Sequence, residues 1–393
     1  MKRMPLNILQ EEKVMSNIVE NPRGGCVLAG INDVLGAIDR VCPILHSGPG
    51  CCMQTTAAEQ GQSGNKSSCF VEGVSIPSSN MLEREVVFGG IRKLETTIQG
   101  SIEVIDADAY FVLTGCTAGI IGDDIVNVTE KFREDGYPVY GIDTPGFAGD
   151  SNLGYEVIWN TFIDQVIEEA PKDEKLVNIF GIVPYHDPFW SGNLEELKRI
   201  LEKLGLKVNT FFTDHQGIDV IRTCSAAALN IEEQVINEVI RSEEDYVYHY
   251  LAQSIGVVSW KRFAVVGDAN SAVGITRYLA NDYSFTPKLV IVSEPLFRAE
   301  DREKIEKQVT ELEYARPPRV VFTSDQYEIN QTLMEDEELT LIVGSSNERE
   351  CASLKEVQCV ASTFPIKDRL IFNRAIAGYR GSLTLTEDLY DNL

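Results

Sequence analysis

The chain contains no C-x-x-C pair, no G-x-x-x-x-G-K-[ST] and no G-x-G-x-x-G, and each absence removes a class of function. Without the first, a zinc ribbon or a bacterial ferredoxin run is disfavoured. Without the second, nothing here cradles nucleotide phosphates. Gln60–Ser68 holds Gly, Lys and Ser, but at the wrong spacing, so any ATP the function requires is hydrolysed by another polypeptide. Val265–Gly274 offers a single strand-end glycine, a weak dinucleotide signal. Positive charge is also scarce. The 35 Lys and Arg against 60 Asp and Glu leave a net charge of −25, and no basic stripe is available to neutralise phosphates, which argues against nucleic acid and suits a protein partner. No run approaches the roughly 20 apolar residues that span a bilayer, and Met1-Lys-Arg-Met-Pro-Leu-Asn7 lacks an apolar signal core, so no membrane association and a cytoplasmic location are expected.

Cysteine is the residue the chain does have. Nine cysteines in a reducing compartment do not suggest a disulfide framework, and the odd number rules out complete pairing. Three stand at Gly-Cys junctions in the first third of the chain: Gly25-Cys26, Gly50-Cys51 and Gly115-Cys116. The second closes the run Cys42-Pro-Ile-Leu-His-Ser-Gly-Pro-Gly-Cys51, where Gly48, Pro49 and Gly50 make a sharp, low-bulk turn that lets backbone pass close to an inorganic cluster. Cys52 competes with Cys51 for that role. Cys42, Cys69, Cys224, Cys351 and Cys359 lie in apolar surroundings, where a free cysteine is usually a small buried hydrophobe. Of the four histidines, His46 precedes the turn and reads more readily as a satisfied structural imidazole, while His186 and His215 lie in loops after strands, where they would face one cleft.

Apolar, β-rich runs alternate with amphipathic stretches along the chain. Ala109–Leu113, Leu176–Val183, Arg262–Gly267 and Leu339–Gly344 read as buried strands, and Asn32–Val41, Asn193–Leu204, Ser271–Leu279 and Asn347–Leu354 as helices. Glu83–Gly100 reads as a helix broken at Phe88-Gly89-Gly90, and residues before about 20 as a polar arm. This alternation predicts α/β architecture with doubly wound, Rossmann-like parallel sheets. Boundaries near Pro171-Lys-Asp-Glu-Lys175 and Ser259-Trp-Lys261 divide the chain into three domains, 1–171, 172–259 and 260–393, the last with a C-terminal segment packing back. Cys116 follows a strand and a glycine turn, at the carboxyl end where such sheets carry their sites.

Taken together and in order, Gly25-Cys26, His46-Ser-Gly-Pro-Gly-Cys51, Val87-Phe-Gly-Gly90, Gly115-Cys116 with Ile121-Gly-Asp-Asp124, Lys261-Arg-Phe-Ala-Val-Val-Gly-Asp268, Phe364-Pro-Ile-Lys-Asp-Arg369 and Gly378-Tyr-Arg-Gly381 resemble the nitrogenase component 1 family. The resemblance is closest to its β-type subunit, on the Lys-Arg-Phe run and Gly-Asp turn. It implies an oxidoreductase subunit pairing with a homologous α-type subunit in an α2β2 assembly. Cys26, Cys51 and Cys116 would ligate an iron–sulfur cluster approached past Gly25, Gly50 and Gly115. The cluster implied is a P-cluster-type [8Fe-7S] group shared with the partner, or else a [4Fe-4S] cluster, and it relays electrons from a transient ATP-dependent iron–sulfur reductase to an active-site metallocofactor in the partner. Two departures stand out. Gly146 replaces a serine able to ligate the oxidised cluster in the β-type chain, and Leu229-Asn-Ile-Glu-Glu-Gln234 lacks the α-type active-site cysteine. The same resemblance admits the β-like half of a nitrogenase cofactor-assembly scaffold or a tetrapyrrole-reductase-like subunit. The β-like scaffold half usually keeps fewer cluster cysteines, so three favour the enzyme.

Overall fold

The computed structural model describes residues 20, 23, 25–52, 76–213, 216–228, 233–251, 261–295 and 298–391. The expected polar arm, the loop Gln60–Ser68, Cys69 and His215 lie outside the described residues. The fold is α/β with parallel sheets, as the alternation predicts. Among the described residues, no helix is long and apolar enough to cross a membrane. The chain divides into two compact units, one of Met1–Arg23, Trp260–Ile342 and Asn347–Val357, the other of Gly24–Ser259, Val343–Ser346 and Gln358–Leu393.

The larger unit opens with helix α1 (Val27–Ala37), strand β1 (Val41–His46), helices α2 (Glu83–Phe88) and α3 (Ile91–Val104), and strand β2 (Ala109–Thr114). Helices α4 (Cys116–Ile121) and α5 (Ile125–Glu134), strand β3 (Val139–Ile142) and helix α6 (Ser151–Gln165) follow. The three strands form one parallel sheet with β2 central, Val41 opposite Ala109, His46 opposite Thr114 and Leu113 opposite Ile142. Every residue of β1 and β2 is buried, because helices cover both faces and successive side chains alternate between them. Val41, Leu45, Phe111 and Leu113 pack with Ile31, Leu35, Ile158 and Phe162 of α1 and α6. Cys42, Ile44, Tyr110 and Val112 pack with Leu94, Ile98, Ile125 and Val128 of α3 and α5. Helices α1 and α6 touch backbone to backbone: a Cβ at Gly154 would stand 2.4 Å from the Val27 carbonyl oxygen.

Two boundaries differ from the sequence pattern. The helix expected over Asn32–Val41 begins at Val27, directly behind Cys26, and ends at Ala37. Arg40 takes a left-handed φ of 58° and Val41 already pairs with β2, so the apolar run continues as strand, not helix. The strand expected over Leu176–Val183 keeps only Leu176–Asn178, paired with Lys207–Asn209, before Gly181 turns at φ +94°. The break at Gly89 is as expected, with φ +88° between α2 and α3.

Elsewhere in this unit, Gly378–Tyr390 packs on Trp190–Lys203 and Glu233–Leu251. Two of these helices, Trp190–Lys203 and Glu233–Leu251, are tied by a buried carboxylate. Glu243, whose side chain is 2% exposed, accepts from Arg199 Nη1 at 2.8 Å and Nη2 at 2.5 Å and from Lys203. Arg199 also donates to Glu196 at 2.8 Å. The smaller unit repeats the strand–helix alternation with Arg262–Gly267, Thr286–Val292 and Arg319–Phe322 in parallel register. Its Gly267-Asp268 turn is a helix cap. Asp268 accepts from the Ser271 amide at 3.0 Å and the Ser271 hydroxyl at 2.7 Å, which occupies the helix start where a dinucleotide loop would bind phosphate. Arg23, 4% exposed, pairs there with fully buried Glu348 and with Gln326.

The Arg199 and Lys203 donors hold Glu243 down to about 2, below its ordinary value of 4.5. A carboxylate lowered on folding contributes stability that is present above its unfolded value and lost as the pH falls through the folded one. Glu243→Gln should therefore lower stability at pH 7 by about 2 kcal/mol. In urea unfolding, the gap to the parent chain should close as the pH drops from 4.5 toward 2.

Candidate metal centre

Parallel strands end on the same side of a sheet, and three of the chain's singled-out motifs stand at those ends. Residues 49–52 form a helical turn after β1 that carries Cys51 and Cys52. Cys116 opens α4 one residue after β2, with Gly115 as its cap in extended backbone. After β3 comes Asp143-Thr144-Pro145-Gly146. The ends are tied together: the Gly115 amide donates to the His46 carbonyl at 3.0 Å, Thr114 donates to Asp143 at 2.6 Å, and the Thr144 hydroxyl donates to the Thr114 carbonyl at 2.8 Å.

Cys26 arrives from another direction, as the extended residue capping α1. It forms an antiparallel bridge with Asp150, in which Val27 donates to the Gly149 carbonyl at 3.1 Å and Ser151 to the Gly25 carbonyl at 2.9 Å. Asp150 in turn caps α6, accepting from the Asn152 and Leu153 amides at 3.1 and 3.2 Å. The strap thus fixes Cys26 through two helix starts at once, and Asp150, a capping residue type directly before α6, was its one trace in the sequence.

Gly146 marks where the sulfurs meet. A Cβ there would lie 3.1 Å from Cys116 Sγ and 3.2 Å from Cys26 Sγ, so the two thiols share the space over one bare backbone position. A Cβ at Gly115 would lie 3.5 Å from Cys51 Sγ. Cys52 turns elsewhere, its thiol 3.6 Å from the Ile76 carbonyl. The glycines of the three junctions differ. At Gly115 a Cβ would strike Ser47 Oγ at 2.0 Å, at Gly25 it would meet Ala29 at 3.0 Å, and at Gly50 no described atom lies within 4 Å. Cys26, Cys51, Cys52 and Cys116 are half-buried; of the cysteines expected to be buried hydrophobes, Cys42, Cys224 and Cys351 are buried and Cys359 is only half-buried. Burial pushes the Cys224 thiol up and the Cys351 thiol up to about 11, as for small hydrophobes. Among the described residues, no three His, Cys, Asp or Glu side chains are grouped to hold a single metal ion.

Behind the thiols lies a closed polar knot that joins three motifs distant in the sequence. His46, fully buried, is bonded through Nδ1 to Ser79 Oγ and through Nε2 to Asp123 Oδ2, both at 2.9 Å. The Gly90 amide donates to the same Asp123 oxygen at 2.9 Å. Burial lowers the His46 pKa, with Asp123 opposing, and the imidazole is a satisfied structural one. A Cβ at Gly90 would come within 2.7 Å of Asp123 Oδ2 and 2.8 Å of His46 Cε1, which explains the second glycine after Phe88, while the φ of +88° explains Gly89. Asp124, next in the chain, caps α5 through the Asn127 amide. His186 stacks on Phe364 with centroids 4.4 Å apart.

Gly115→Ala should destabilise the chain by about 1–3 kcal/mol, because the added methyl overlaps the Ser47 side chain. Ser47→Gly in the same chain should recover most of the loss in thermal unfolding, and an unrecovered loss would place the strain elsewhere.

The family model described as Nitrogenase component 1 type Oxidoreductase matches residues 26–234 and 232–393. The nitrogenase molybdenum-iron protein alpha chain of Clostridium pasteurianum is 29% identical over 236 residues, 57% of this chain and 44% of its own. That of Methanosarcina barkeri is 26% identical over 318 residues, 77% of this chain and 56% of its own. The nitrogenase iron-molybdenum cofactor biosynthesis protein NifE of a Nostoc species is 28% identical over 242 residues, 59% of this chain and 48% of its own. The chain spans about half the length of these curated relatives. The solved structure "Nitrogenase Cp1 at pH 6.5" shares the fold, with a TM-score of 0.76 at 16% identity over 100% of this chain and 94% of that one. With a match that runs from Cys26 to the last residue, the chain belongs to the nitrogenase component 1 type oxidoreductase family.

Proposed function

We propose that this chain is the cluster-bearing subunit of a nitrogenase-like two-component reductase. Together with a homologous partner it holds an iron–sulfur cluster on Cys26, Cys51 and Cys116, and it passes electrons from an ATP-dependent iron–sulfur reductase toward a metallocofactor in that partner. The observation that carries the reading is Gly146: the bare backbone beneath the Cys26 and Cys116 sulfurs leaves a cradle that any side chain would fill. Thiolates are the ligands such clusters take, one to each of several irons, which suits three sulfurs spread over Gly146 and Gly115 better than a single ion. When bound, the cluster supplies one-electron transfer.

The chain's own residues do the rest. The three thiols lose their protons to bind iron. Gly115 and Gly146 keep side chains out of the way, and no described atom lies within 4 Å of where a Gly50 Cβ would stand. Cys26 and Cys51 border the apolar core around Leu45 and Leu113, which keeps water from that side. Gly146 has no hydroxyl to add as a redox-dependent ligand, so no such ligation comes from that position. Three thiolates leave irons of an [8Fe-7S] group for the partner's ligands, and the apolar side chains of Ile120 and Phe147, 74% and 65% exposed next to Cys116 and Gly146, suit a surface that a partner covers.

The β-type assignment draws on Lys261-Arg262-Phe263 and the Gly267-Asp268 turn. One curated relative, the cofactor biosynthesis protein NifE, favours a second reading in which the chain is half of a cofactor-assembly scaffold, whereas the two alpha chains are named as parts of the molybdenum-iron protein itself. Both readings place a cluster on the same cysteines. They separate on turnover: the enzyme consumes reductant with the ATP-dependent component present, and the scaffold does not.

Purified without oxygen together with its partner, the protein should contain iron and sulfide. Cys26→Ala, Cys51→Ala and Cys116→Ala should each lower the iron content, while Cys52→Ala and Cys359→Ala should not. Iron-free wild-type complex would end the cluster reading, and loss of iron in Cys52→Ala but not in Cys51→Ala would move the ligand by one residue. Purified alone, the chain should be iron-poor and should hydrolyse no ATP; light scattering with iron analysis checks the first point, phosphate release the second. A monomer with a full iron complement would contradict the shared cluster.

A further inference from the structure

Ser47 is fully buried, and its hydroxyl has no hydrogen-bond partner among the described residues. The neighbouring polar side chains are all engaged: Ser79 with His46, Thr114 with Asp143, and Thr144 with Thr114. The Ser47 main chain is tied as well, its carbonyl accepting from the Met81 amide at 2.8 Å. An unsatisfied buried hydroxyl is costly, because it has given up its bonds to water without replacement, so its position calls for an acceptor. Where it stands is informative. The hydroxyl lies 2.0 Å from the point a Gly115 Cβ would occupy, and Cys51 Sγ lies 3.5 Å from that same point. Hydroxyl and thiol therefore share one hollow, floored by Gly115, directly before Cys116.

We propose that the Ser47 hydroxyl is a positioning donor for the bound group, giving its hydrogen bond to the Cys51 thiolate or to an adjacent sulfide and so raising the reduction potential. This rests on the cluster reading above. A thiol is a weak acceptor and an iron-bound thiolate a strong one, so the bond forms on loading. Donors to cluster sulfurs favour the reduced form, which carries more negative charge.

Two measurements on Ser47→Ala test this. In the metal-free full chain, the variant should unfold at the same or a higher temperature than wild type, because it removes a polar atom that has no partner there; a lower temperature would show the hydroxyl already bonded and overturn the proposal. In the anaerobically loaded complex, the variant should keep the wild-type iron and sulfide content, its midpoint potential should fall, and the coupling of one exchangeable proton to the reduced cluster should disappear from its electron–nuclear double resonance spectrum. Full iron with an unchanged midpoint and the same proton coupling would overturn the proposal, as would loss of iron, which would make Ser47 structural. Iron-free wild type would strike the cluster reading itself.

Discussion

Backbone can pass within reach of two sulfurs only where it carries no side chain, and the first sheet of this chain is arranged around that constraint. At Gly146 a single added carbon would press on the sulfurs of Cys26 and Cys116, and at Gly115 it would collide with Ser47 beside Cys51. Both positions follow parallel strands, so one sheet edge receives two cysteine-bearing turns and the bare loop beneath them. A parallel sheet collects sequence-distant loops this way because every strand leaves on the same side. Cys26 is the exception in route, brought in by the strap between Cys26 and Asp150.

Rigidity behind the thiols comes from polar groups that are fully engaged. His46 spends both ring nitrogens on Ser79 and Asp123, and Asp123 also takes the Gly90 amide. Buried polar groups in a low dielectric hold one geometry when every member is satisfied. The knot explains why His46, the Gly89-Gly90 pair and the Gly-Asp-Asp124 turn occur together: they are one structural object, built from β1, the α2–α3 break and the end of α4. Strength at this backing contrasts with the exposed Ile120 and Phe147 at the front. A net charge of −25 with apolar residues left uncovered suits recognition of another protein.

Electrostatics serves a different purpose at the helices far along the chain. Glu243 is buried with Arg199 and Lys203 around it, and Asp388, 2% exposed, is held by Arg369 and Arg374 at 2.8 and 2.7 Å. Each carboxylate is met by two cations, so neither is left as an isolated buried charge, the arrangement that is strongly destabilising. Separately, Asn193 Oδ1 within Trp190–Lys203 accepts the Ile376 and Ala377 amides just before Gly378–Tyr390 at 2.8 and 2.9 Å.

Much of the α/β alternation was legible in the sequence, because strands buried on both faces read as unbroken apolar runs: β2 and Arg262–Gly267 stand where the pattern puts them. The α2–α3 break was legible for the same kind of local reason, a glycine at φ +88°. Where α1 begins was not, since the apolar residues from Val27 to Val41 suit helix and strand alike, and only pairing of Val41 with Ala109 decides between them. The Gly-Cys junctions were visible as local patterns, whereas Gly146 stood out only as a departure from the family resemblance. That Gly146 lies beneath Cys26 and Cys116, that Cys52 turns to Ile76, and that Ser47 stands beside Cys51 with its hydroxyl unpartnered among the described residues were decided only by tertiary structure. The physical reason is distance along the chain: periodicity and turn chemistry act over a few residues, whereas which sulfur faces which backbone depends on strand register and helix packing between segments as far apart as Cys26 and Gly146.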